Sequence, residues 1–109
     1  MNNLEQILDL LKLIGFRELS DFNKNHMFFE YKRSDFTHVV AITSYIQIVY
    51  KEINIDSGET NSQINIKNVD IEDEFKAIKG ILELLFEKEL LLARKIRKRN
   101  KIVKGLLNG

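Results

Sequence analysis

At 109 residues and 12.8 kDa the chain has one domain's length, and 44% apolar with 30% charged residues is enough to build a core. Seventeen basic residues against sixteen acidic ones leave a net charge of +1, and the absence of cysteine excludes a disulfide framework, a thiolate zinc site and a cysteine nucleophile. No apolar run approaches the roughly 20 residues of a membrane span, and the first residues carry Glu5 and Asp9 where a signal peptide would be basic, so a cytoplasmic protein with no membrane partner is expected.

Residues 3–14 predict an amphipathic helix, with Leu4, Ile7, Leu8, Leu11 and Ile14 on one face and Gly15 placed to end it. From residue 16 the period becomes two. Strands are predicted over 16–22, 27–33, 36–43, 45–55 and 62–68, separated by the turns 23–25, 34–35 and 56–59. In the 45–55 strand the inward set switches from Ile46, Ile48 and Tyr50 to Ile53 and Ile55, which predicts a bulge. Connections this short favour an antiparallel meander.

Residues 70–105 read as helix again, opening on the acids Asp70, Glu72, Asp73 and Glu74, which suit a helix N-terminus. Ile71, Phe75, Ile78, Leu82, Leu85, Leu92, Ile96, Val103 and Leu106 follow a heptad-like spacing, interrupted at Glu89 and Arg99. As one helix this segment would run roughly 50 Å at 1.5 Å per residue, longer than a sheet of this domain can cover. The helix must break near 93–100 or project. The expected fold is a two-layer α+β domain: an antiparallel sheet of four or five strands, with the N-terminal helix and the long C-terminal helix packed on one face. Its limits are set at residues 1–93, with 94–109 as a basic helical extension. Leu85 is expected in the buried layer, so that Leu85→Asp would unfold the protein.

Candidate chemistry is sparse. His26 falls at a turn edge as a solvated side chain, and His38 falls in the apolar set of its strand as a hydrogen-bonded core histidine. Asp21, Glu30 and Lys32 resemble the Asp…Glu-x-Lys pattern of restriction-endonuclease-like nucleases, in which two carboxylates hold magnesium. Strand alternation produces Glu-x-Lys on any solvated face, however, and further strands follow here where that family has a helix. The five glycines are scattered singly, leaving no phosphate-cradling loop. No catalytic residue, metal site or cofactor is expected.

The strong local bias lies at the C-terminus. Arg94, Lys95, Arg97, Lys98, Arg99, Lys101 and Lys104 place seven cations in eleven residues with no acid among them, and the rest of the chain has a net charge of −6. An acidic body with a basic arm suggests a small binding protein, a stoichiometric regulator or inhibitor of another protein, with nucleic-acid binding through the arm as the alternative. No aromatic residue follows Phe86, so the arm has no base-stacking platform. Proline is absent, and isoleucine, asparagine and lysine supply 36 residues, a bias toward A/T-rich codons that suits a low-GC bacterium or one of its phages or plasmids. The apolar row Leu85, Leu92, Ile96 and Val103 is the expected contact of a homodimer, with Glu89 and Arg99 facing each other across paired helices.

Overall fold

The computed structural model describes residues 2–19, 26–43, 46–66 and 68–108. The elements are α1 (Asn3–Ile14), β1 (Arg17–Glu18), β2 (His26–Arg33), β3 (Phe36–Thr43), β4 (Ile48–Asn54), β5 (Thr60–Ile66), α2 (Glu72–Leu85) and α3 (Glu87–Asn108). Asn2 caps α1 by accepting a hydrogen bond from Glu5 N at 2.8 Å. Gly15 ends the helix at φ 118°, in the left-handed region, where its N–H and that of Phe16 both reach Leu11 O.

The strands form one antiparallel sheet in the order β1-β2-β3-β4-β5. The two-residue connection between β2 and β3 has Ser34 at φ 53°, and Asn54 closes the β4–β5 turn by accepting from Asp56 N and Ser57 N. Register places Met27, Ile42, Ile48 and Ile66 in one cross-strand row and Phe29, Val40, Tyr50 and Ile64 in the next. Both rows face the core, where they meet Ile7, Leu10, Leu11 and Ile14 of α1 and Phe75, Ile78 and Leu82 of α2. The helices thus cover one face of a five-stranded meander, a two-layer α+β fold.

Three details depart from the periodicity. The bulge does fall at Glu52/Ile53, but the extra residue is Asn61 in β5, because β3 and β4 keep their register throughout. Glu52 therefore stays on the inner face, while Ile53 pairs with Thr37 on the outer one and Ile55 is exposed. The chain enters β4 only at Ile48, since Ile46 takes φ 59°, and Tyr45 lies outside the described residues. So do residues 20–25, which carry the end of the first predicted strand and the turn after it.

The third departure concerns the long helix, which breaks at Phe86 (φ −116°, ψ 31°) rather than near 93–100. The buried series runs Phe75, Ile78, Leu82, Phe86, Leu90, the 3.6-residue stripe of a helix lying on a sheet. A seven-residue repeat drifts off that stripe by about 20° per heptad, which is why Leu85 is 36% exposed; Ile71 lies outside the core because it is the extended N-cap residue before α2. The expectation that Leu85→Asp would unfold the protein falls with it.

Finally, α3 projects. Its 22 residues span roughly 33 Å at 1.5 Å per residue, and Leu90 is its last buried side chain among the described residues. The radius of gyration is accordingly 15.7 Å, against about 13 Å for a compact chain of this length.

Candidate interaction surface

The polar side chains of the inner face cluster where β2, β3 and β4 pass under the helix break. His38, 1% exposed, lies with Nδ1 2.8 Å from Tyr50 Oη and 4.0 Å from Glu52. Phe86 sets its ring edge against His38, Phe16 and Tyr31, with centroids 5.0, 5.4 and 5.8 Å apart. Arg33 closes the cluster from outside: its guanidinium lies 4.9 Å from the Phe86 centroid, donates to Leu85 O at 2.9 Å, and meets both carboxylate oxygens of Glu89 at 3.2 Å. A cation at the carbonyl end of α2 also complements the helix dipole.

Burial holds the His38 imidazole below its ordinary 6.5; the Arg33 cation adds to the shift, and Glu52 and Glu89 oppose it. Burial, with Glu52 beside it, pushes the Tyr50 hydroxyl up to about 12. A histidine, a tyrosine and a carboxylate in contact look like acid–base machinery. Yet His38 and Tyr50 are sealed beneath Phe86, and a general base must reach the proton it abstracts. Their work here is to satisfy each other inside the core.

The other polar candidates are committed elsewhere or dispersed. Glu30 accepts from Arg17 at 2.7 Å across β1 and β2, and Asp21 lies outside the described residues. His26 is not a solvated turn residue: it begins β2, half-buried, its ring 6.0 Å from that of Phe28 and its Nδ1 buried without a described partner. No group of three potential metal ligands occurs among the described residues.

The exposed chemistry is concentrated on α3. At about 100° per residue, Leu92, Ile96 and Val103 are turned roughly 160°, 120° and 140° from the buried Leu90. They are 61%, 44% and 47% exposed, on the side away from the body. Arg94, Arg97, Lys98, Lys101 and Lys104 lie within about 80° of Leu90's direction, while Lys95 and Arg99 fall roughly 140° and 180° away, along one side of the apolar arc. None of the seven cations forms an ion pair with a described residue. Beyond the body, α3 is therefore a basic amphipathic helix with both faces in solvent.

This placement separates the residues that sequence spacing had grouped. Leu85 sits at the helix break under Arg33, apart from Leu92, Ile96 and Val103. Glu89 is paired with Arg33 within the chain. Sequence reasoning missed Arg33, Phe86 and Glu89 as a unit; the signal present was an arginine at a strand end and an aromatic residue off the heptad. No helix among the described residues is long and apolar enough to cross a membrane. No protein-family model, curated protein or solved structure matches the chain.

Proposed function

We propose that the protein is a small, non-enzymatic, cytoplasmic binding protein, a stoichiometric regulator or inhibitor that works by occupying a surface of another protein. The observation that carries this reading is the projecting end of α3, where an apolar arc and seven cations that pair with no described residue stand in solvent beyond the last buried side chain described. An apolar row left in water favours a partner, and the cations select an acidic one. Residues 1–93 are the body and 94–109 the binding extension. The cations by themselves also suit a nucleic-acid backbone, which would ignore the apolar arc; the arc favours protein.

The test compares the full chain, a 1–93 truncation and a Leu92→Asp/Ile96→Asp variant, each used to capture partners from the native host with and without nuclease treatment. The expected result is a protein held in fixed stoichiometry by the full chain alone, insensitive to nuclease. Retention that vanishes with nuclease, or binding to duplex DNA with a log–log salt slope approaching about −6 for seven phosphate contacts, would assign the arm to nucleic acid instead. Partner capture unchanged by both variants would remove α3 from the mechanism.

A further inference from the structure

A second surface on the body has the complementary chemistry. Between α1 and the β1–β2 edge of the sheet lies an open cleft of about 350 Å³, floored by Leu8, Met27 and Phe29. Three carboxylates, Glu5, Asp9 and Glu18, stand around it with one cation, Lys12. None of these four forms an ion pair with a described residue. An apolar floor bordered by acids is what the outer arc of α3 requires, since Lys95 and Arg99 flank Leu92, Ile96 and Val103 along one side.

We propose that two copies of the chain exchange arms, the end of α3 from each lying in the α1/β2 cleft of the other. This rests on α3 being the binding element, and it names a second copy as an occupant of the cleft. Charge decides against the simpler pairing of arm with arm. Pairing the two arcs directly would set Lys95 and Arg99 of each copy beside those of the other, with no acid in either segment to offset them. The body, at −6, is the oppositely charged surface. Position helps as well: Asp9 lines both this cleft and the neighbouring one that contains Arg94 at the root of the arm. Arm root and cleft therefore share the exposed side of α1, and a two-fold axis there lets both arms cross at once. Reciprocal exchange closes the assembly at two copies, whereas a one-way contact would run on into a chain.

Complementation by full-length variants tests this. Light scattering of the wild type should give twice 12.8 kDa at high concentration, returning to the monomer as salt screens the charges. Asp9→Lys/Glu18→Lys alters the cleft and leaves the arm; Lys95→Glu/Arg99→Glu alters the arm and leaves the cleft. All four positions are exposed, and circular dichroism with thermal melting verifies that both variants stay folded. Each alone should be monomeric, their mixture should form a 1:1 dimer through one native and one charge-reversed contact, and the quadruple variant should regain self-association. A wild type monomeric at every concentration, a dimer that survives either reversal, or a mixture that stays monomeric would overturn the exchange. If the wild type is monomeric but the arm reversal still abolishes capture of a host protein, the reading of α3 as a binding element stands and only its occupancy of this cleft fails.

Discussion

Phe86 is where the fold is most sensitive, and the neighbouring Leu85 provides the control. Phe86 is fully buried at the helix break, with its ring against Phe16, Tyr31 and His38 and the Arg33 guanidinium over it. Phe86→Ala empties that space, and a buried phenylalanine cut to alanine costs about 3–5 kcal/mol, against a total stability of about 5–15 kcal/mol for a domain. At about 4–8 °C per kcal/mol for a small domain, the thermal midpoint should fall by at least about 12 °C. Leu85→Ala removes a side chain that is 36% exposed and outside the core cluster, and should cost about 1 kcal/mol or less. Urea unfolding followed by circular dichroism measures both. Equal losses, or a larger one at Leu85, would refute the break at Phe86 and restore the continuous heptad helix.

Two further perturbations test the interior. Gly15→Ala should cost roughly 1–2 kcal/mol, because a residue with a Cβ strains at φ 118° even though that Cβ would meet the Tyr31 ring only at contact distance; a urea midpoint equal to the wild type's would contradict the cap. His38 makes stability depend on pH: the unfolded imidazole takes up a proton near 6.5 and the folded one only at lower pH. Between these values the unfolded state holds more protons, so stability is present above 6.5 and is lost as pH falls toward the folded value. The urea midpoint should drop between pH 7.5 and 5, and His38→Gln should flatten the slope; an unchanged slope would place the titration elsewhere.

Much of this fold is legible without coordinates, because α1 and the middle strands depend on local alternation. The three-and-four spacing from Leu4 to Ile14 and the alternation from Phe36 to Thr43 each permit one arrangement of faces. His38 is legible for the same reason, as its parity puts it with Val40 and Ile42. The errors arise where two periods compete. Between Phe75 and Leu106, chains of apolar residues can be traced at seven-residue and at 3.6-residue spacing, and only contact with the sheet selects Phe86 and Leu90 over Leu85 and Leu92. In β4 the apolar letters at 53 and 55 suggest a switch of face. The backbone keeps its register, and the inner position goes to Glu52, whose carboxylate lies beside His38.

The same competition bears on the candidate surface. Sequence spacing strings Leu85, Leu92, Ile96 and Val103 into one seam, whereas the break at Phe86 divides it between a helix end tied down by Arg33 and an arm facing solvent. Arg33 is the reason the division can hold. It satisfies the last carbonyl of α2, covers Phe86 and neutralises Glu89, so α3 starts from a position anchored in β2 before it leaves the body. The anchor also takes up Glu89, the acid nearest the arm in sequence, while Glu83, Glu87 and Asp9 line the clefts that Arg94 shares at its root. With Glu89 committed, every cation from Arg94 to Lys104 depends on an acid supplied from outside the arm, and the −6 of the body is the nearest supply the sequence provides. Charge separation along the chain and the polar clamp at the helix break thus act on the same element: the clamp fixes where α3 leaves the body, and the body carries the charge opposite to the arm's.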